Sequence, residues 1–74
     1  MGSIHPSAKI HGSAIVEPGA TIGEGCEVGP FSIIGPNVVM GKRNRIASHV
    51  VLEGNTVLGD DNQLFQFASI GATP

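Results

Sequence analysis

Several residue types are scarce in this chain, and each scarcity excludes a class of protein. Among its 74 residues there are three Phe, no Trp and no Tyr, so large aromatic rings cannot fill its core. A single cysteine cannot form an internal disulfide. Charged residues make up only 14% and sum to a formal net charge of -2. Because they form no basic cluster, we expect no nucleic acid partner and no anionic membrane partner.

Long apolar runs are missing as well. No stretch is long enough to cross a bilayer, so we expect no membrane insertion. No charged segment followed by an apolar one resembles a secretion signal. These two absences lead us to expect a cytoplasmic protein.

The chain does contain a repeat: every sixth residue is aliphatic or Met, from one end to the other. A period of six is neither the stripe of a helix nor the alternation of an ordinary strand. It predicts an all-β parallel β-helix, in which three blocks of six form one triangular turn. We expect about four turns in a single repeat array over residues 1–74. The inward positions are Ile4, Ile10, Val16, Ile22, Val28, Ile34, Met40, Ile46, Leu52, Leu58, Leu64 and Ile70.

Residues eighteen apart should then stack in columns along the axis. Four of the five prolines fall two places after an inward aliphatic, where a corner begins. Cys26, Asn44 and Asn62 share one small inward column, and we expect the two amides to bond as an asparagine ladder. An outward column alternates charge, which predicts a solvated ladder: Lys9, Glu27, Arg45 and Gln63.

Other outward columns are apolar, and this predicts a surface that a monomer would rarely leave exposed. We expect a subunit interface around a threefold axis. The alternative is that these residues only reflect the β-propensity of a strand surface. The residues of the predicted interface are Phe31, Ile33, Val39, His49, Val51, Val57 and Phe67.

Catalytic motifs are hard to find in this sequence. The glycines around residue 25 miss the spacing of a dinucleotide fingerprint, so we assign no cofactor. His5, His11 and His49 invite a metal hypothesis, yet the triangular turns place them apart. Cys26 occupies an inward position, which favours a buried inert thiol over a nucleophile. We therefore assign no catalytic, substrate-binding or metal-ligating residue.

One run of ten residues is more specific than the hexapeptide pattern: Asn62-Gln63-Leu64-Phe65-Gln66-Phe67-Ala68-Ser69-Ile70-Gly71. Together with Ile4-His5-Pro6, Val28-Gly29-Pro30-Phe31 and Ser48-His49-Val50-Val51, it resembles the amino-terminal part of the bacterial UDP-N-acetylglucosamine (UDP-GlcNAc) O-acyltransferases. The resemblance implies a left-handed β-helix and a cytoplasmic homotrimer. It also implies transfer of a 3-hydroxyacyl chain from acyl carrier protein to the 3-hydroxyl of UDP-GlcNAc, the first step of lipid A synthesis.

The same resemblance places the general-base histidine of the family on a later turn. His5, His11 and His49 match no catalytic position, so we expect the 74-residue chain alone to be inactive. If no further turn follows, the strands around Leu58 to Ile70 would expose unpaired backbone groups, which predicts end-to-end pairing of two chains or disorder of the last turn. Two other functions remain open: a structural β-solenoid assembly module without catalysis, and a metal enzyme similar to the γ-class carbonic anhydrases.

Overall fold

A computed structural model describes residues 2–71 of the chain. Residues 1 and 72–74, the ends of the predicted repeat array, lie outside the described part. Within it the chain forms eleven strands of two residues each and no helix. In chain order, β1 to β11 are Lys9–Ile10, Ile15–Val16, Thr21–Ile22, Glu27–Val28, Ile33–Ile34, Val39–Met40, Arg45–Ile46, Val51–Leu52, Val57–Leu58, Gln63–Leu64 and Ser69–Ile70.

Every third strand belongs to the same sheet, and all pairings are parallel. The sheets contain β1-β4-β7-β10, β2-β5-β8-β11 and β3-β6-β9. Each residue pairs with the one eighteen positions later, as Ile10 does with Val28 and Val16 with Ile34. This register confirms the predicted parallel β-helix. Three sheets of four, four and three strands give between three and four turns, in an arrangement consistent with a left-handed β-helix.

The three sheets present outward residues of different character, and we name the surfaces accordingly. The charged face consists of Lys9, Glu27, Arg45 and Gln63. The aliphatic face consists of Ile15, Ile33, Val51 and Ser69. The valine face consists of Thr21, Val39 and Val57.

The core is a single column of side chains along the axis. Its central turns are fully enclosed, with Ile34 and Leu52 at 0% exposure and Met40 at 2%. Inward aliphatics of the outer turns, such as Ile10 and Leu64, are half-buried. Because each turn covers the one beneath it, two-residue strands suffice to build a continuous apolar interior.

Buried polar side chains join successive turns by one repeated hydrogen-bond pattern. The side chains of Cys26, Ser32 and Asn44 each donate to the carbonyl fifteen residues later, at 3.0, 2.8 and 2.7 Å. The Ser32 hydroxyl and the Asn44 carbonyl oxygen also accept from the backbone N–H eighteen residues later. The predicted asparagine ladder is therefore wrong. Asn44 bonds to the backbone of the next turn, and Asn62 is exposed.

The corners depend on one backbone conformation that the sequence pattern did not predict. At the third position after an inward aliphatic, φ is positive in seven corners, and five of these residues are not glycine. Proline at the second position and positive φ at the third are the features of a type II turn. The signal was present, because glycine fills the third position at residues 19 and 25. The left-handed residues at this position are Gly19, Gly25, Phe31, Arg43, His49, Asp61 and Phe67.

Candidate functional site

Three aromatic side chains stack on one another at the corner between the charged face and the aliphatic face. We call Phe31, His49 and Phe67 the aromatic corner. The His49 ring lies between the two Phe rings, with centroid distances of 5.2 Å to Phe31 and 5.3 Å to Phe67. The interplanar angles are 31° and 33°, so the rings are tilted and nearly stacked. Both Phe side chains remain open to solvent, at 61% and 72% exposure.

The backbone of the aromatic corner is held in an unfavourable conformation. Phe31, His49 and Phe67 have φ of 58°, 57° and 63°, in the left-handed region. For residues with a Cβ this region costs about 1–2 kcal/mol each. Two aromatic contacts return only about 0.5–1.5 kcal/mol each. Stacking within the chain therefore does not offset the backbone strain. Glycine at these positions would relieve that strain. Contacts with another molecule would explain why bulky rings occupy the positions instead.

The aliphatic face adjoins the aromatic corner and extends the apolar surface. Ile15 and Ile33 are 53% and 39% exposed, and Val51 is half-buried. Exposed apolar side chains in one contiguous patch are typical of interaction sites. Five of the seven residues of the predicted interface thus lie together: Phe31, Ile33, His49, Val51 and Phe67.

The other two residues of the predicted interface lie on a different sheet. Val39 and Val57 pair with each other on the valine face, at 41% and 74% exposure. The corner of residues 35–38 separates Val39 from the aliphatic face. The apolar columns predicted from the sequence therefore lie on two neighbouring sheets.

The charged face carries a shallow depression of about 590 Å³. Polar and apolar residues line it: Ala8, Lys9, Ile10, His11, Glu27, Val28, Gly29 and Ile46. Of the predicted charge ladder, the Arg45 and Glu27 pair forms, with Nε and Oε2 at 3.8 Å. Both side chains are more than half exposed, so this pair contributes little to stability. The polar character of this face makes it the surface least suited to contact another subunit.

His5 and His11 take part in two identical local networks. The His5 Nδ1 lies 2.8 Å from the Ser7 hydroxyl, and the His11 Nδ1 lies 2.8 Å from the Ser13 hydroxyl. Each serine oxygen accepts a backbone N–H from the next turn, from Gly25 or from Phe31. In higher turns a backbone carbonyl accepts the equivalent N–H, as the carbonyl of Pro30 does for residue 49. The serines therefore replace a carbonyl, which explains these pairs without catalysis.

Titratable groups in residues 2–71 form no reacting or metal-binding cluster. Among these residues, no three His, Cys, Asp or Glu side chains lie close enough to hold one metal ion. Cys26 is fully buried, as its inward position predicted, and its thiol donates to a backbone carbonyl. Within the same residues, no helix is long and apolar enough to cross a membrane.

One exposed ion pair fastens two turns at the corner between the valine face and the charged face. The Arg43 guanidinium donates to both carboxylate oxygens of Asp61, at 2.7 and 3.0 Å. This hydrogen-bonded cation holds the pKa of Asp61 below its ordinary value, and it raises the pKa of Arg43. Since Asp61 and Arg43 stack directly, we interpret the pair as a brace between turns.

The chain matches a known protein-family model. Residues 2–36 and residues 19–54 each match the family model described as bacterial transferase hexapeptide, six repeats. The two overlapping segments span residues 2–54, which is more than half of the chain. They cover β1 to β8, including the aromatic corner as far as His49.

Proposed function

Because the chain belongs to the bacterial hexapeptide transferase family, we propose that it is the amino-terminal part of an acyltransferase. The proposed reaction moves a 3-hydroxyacyl group from acyl carrier protein to the 3-hydroxyl of UDP-GlcNAc, the first step of lipid A synthesis. Family membership supports the general class, an acyltransferase type or a solenoid module. The finer proposal rests on the run from Asn62 to Gly71, which includes β10, the end of the aromatic corner and β11.

In this proposal, residues 2–71 supply the scaffold and the subunit contact. Attack of a sugar hydroxyl on a thioester needs a general base within hydrogen-bond reach and donors for the oxyanion. The histidines of the described residues are engaged with serines or stacked between rings. We assign no catalytic role to them, and we expect the base to lie on a later turn.

The proposed assembly is a homotrimer in which two different surfaces meet. In a cyclic trimer each subunit contacts its two neighbours through two distinct patches. The chain has two such patches: the aromatic corner with the aliphatic face, and the valine face. A twofold dimer would need only one self-complementary patch. The separation of Val39 and Val57 from the aromatic corner therefore favours threefold assembly.

The reaction can be tested by mass spectrometry. The 74-residue chain, given 3-hydroxyacyl carrier protein and UDP-GlcNAc, should yield no acylated sugar nucleotide. The longer product of the gene, read past Pro74, should yield it and should carry a histidine on a following turn. A gene that continues without hexapeptide repeats, or a longer product that leaves both substrates unchanged, would contradict the acyltransferase proposal.

The assembly can be tested by mixing two variants. The first, Phe31→Asn with Phe67→Asn, keeps a residue type that tolerates positive φ but removes the rings. The second, Val57→Lys, changes the most exposed residue of the valine face. Each variant alone should sediment as a monomer. The mixture should form one-to-one dimers, because the intact valine face of the first variant can contact the intact aromatic corner of the second. Trimers of either variant, or no association on mixing, would contradict the two-surface arrangement.

A structural assembly module is the second candidate. The observation that favours it is the contrast between a well-formed apolar surface and the absence, within residues 2–71, of any three His, Cys, Asp or Glu side chains placed to hold a metal ion. The two candidates differ in one measurement. A longer gene product that forms trimers but transfers no acyl group would favour the module.

A further inference from the structure

His49 occupies the centre of the proposed contact and has polar atoms that the chain does not satisfy. Its ring is stacked between Phe31 and Phe67. The hydrogen bond that His49 donates within residues 2–71 comes from its backbone N–H, to the carbonyl of Pro30 at 3.0 Å. In the isolated chain the side chain is exposed, so water can reach the ring nitrogens.

Within residues 2–71, the two corners that stack on His49 carry no charge that would compensate an imidazolium. The corner below it consists of residues 29–32 and the corner above it of residues 65–68, and neither contains an acidic or basic residue. The nearest charged residues in sequence are Arg45 and Glu53, each four positions away. The valine face, proposed to cover this corner from the neighbouring subunit, has no titratable side chain. The corners beside that face carry the charged residues Glu17, Glu24, Lys42, Arg43, Glu53, Asp60 and Asp61, of which Arg43 and Asp61 are paired with each other.

We propose that subunits associate through the aromatic corner only while His49 is neutral, so that acid dissociates the assembly. This inference rests on the proposed homotrimer. Histidine is the side chain that ordinarily changes charge between about pH 5 and pH 8. Association would move the ring from water into an apolar contact, where a proton adds an unpaired buried charge. Each interface must therefore release one proton when it forms in acid.

Two effects of different size act on the protonated ring. In the isolated chain the Phe faces attract a cation, which is worth about two- to fivefold in an equilibrium constant. Burying an uncompensated charge in an interface costs on the order of a hundredfold or more. Both effects favour the proton on the separate subunit. Once the free ring is protonated, the dissociation constant of each interface should rise about tenfold per pH unit.

Sedimentation velocity between about pH 8 and pH 5 tests this inference, because the window spans the ordinary titration of histidine. The wild-type chain should be associated at the upper end and should dissociate towards the lower end. The His49→Phe variant should stay associated throughout. Phenylalanine already occupies the equivalent corner position at residues 31 and 67 with positive φ, so the fold accepts it there. Far-UV circular dichroism at each pH would verify that the subunits remain folded.

The matched control changes the other two histidines. In the double variant His5→Asn and His11→Asn, the amide oxygen replaces Nδ1 as the acceptor, and both titrations are removed. This variant should dissociate in acid as the wild type does. A His49→Phe variant that still dissociates, or a wild type associated equally at both ends, would overturn the role of His49 and leave the homotrimer standing. Monomeric wild type and His49→Phe at every pH would overturn both.

Discussion

Replacing Asn44 by Val should remove much of the stability of the fold. Asn44 is fully buried, its amide donates to the carbonyl of Gly59 at 2.7 Å, and its oxygen accepts the N–H of Asn62 at 2.8 Å. Valine fills the equivalent inward position at residues 38 and 50, so the shape is compatible with the prism. The substitution therefore tests the polar contacts more than the packing.

The magnitude follows from the two backbone groups that lose their partner. Both groups belong to exposed residues, so water can replace part of what the amide supplied. The net contribution of each hydrogen bond, about 0.5–1.5 kcal/mol, predicts a cost of about 1–3 kcal/mol for Asn44→Val. A domain of this length is expected to have a free energy of unfolding of roughly 4–11 kcal/mol. The variant should therefore show a large fall in the urea midpoint, measured by circular dichroism. Hydrogen exchange should accelerate most at the amide of Asn62.

Two control variants make the reasoning about Asn44 refutable. Ser32 shows that one hydroxyl can serve both the carbonyl fifteen residues later and the N–H eighteen residues later, so Asn44→Ser should recover most of the loss. Asn62→Val, in the same column but exposed, should change stability by about 0.5 kcal/mol or less. Equal losses for Asn44→Val and Asn62→Val, or no recovery with serine, would refute the account of the hydrogen bonds.

Four further variants test the stacking of turns by urea unfolding. Gly23→Ala would place a Cβ against the carbonyl of the next turn and should cost about 1–3 kcal/mol, whereas Gly59→Ala, in the same column with nothing within 4 Å, should be tolerated. The pKa of Asp61 is lower in the folded state than in the unfolded chain, because the carboxylate pairs with Arg43. The pair therefore adds to the free energy of unfolding at neutral pH, and this contribution is lost as the pH falls through the pKa of folded Asp61. In Asp61→Asn the free energy of unfolding should fall less steeply as the pH is lowered. An unchanged pH dependence would contradict the proposed brace between turns. Leu52→Ala, at a fully buried site, should cost about 2–5 kcal/mol, and a neutral result would contradict the enclosed core.

Only some features of the predicted interface could be derived from the sequence. The outward position of the strand residues Ile33, Val39, Val51 and Val57 could be predicted, because the alternation of strand side chains follows directly from the period. The stacking of His49 between two rings could be expected from the eighteen-residue columns. The degree of exposure could not be predicted, because it depends on neighbouring turns: Ile33 is 39% exposed and Val57 is 74% exposed.

Corner geometry and the Asn62 environment show a second limit of the sequence pattern. Positive φ at Phe31 and Phe67 contradicts their intrinsic preference, so local propensity would have predicted another conformation. The closed turn imposes it. Asn44 and Asn62 look alike in the repeat, yet one is enclosed and the other is exposed. The burial of an asparagine side chain depends on whether another turn covers it, and the identity of the residue does not show this.

The period of six was sufficient to determine the fold and the register, because a side chain on every sixth residue can face one axis only if three strands close a triangle. Contacts between turns are a different matter. Which polar groups meet, which corners are strained and which surfaces lie apart depend on distances between residues eighteen positions away. Only the folded coil determines those distances, since sequence spacing specifies the column a residue joins but not the atoms it touches there.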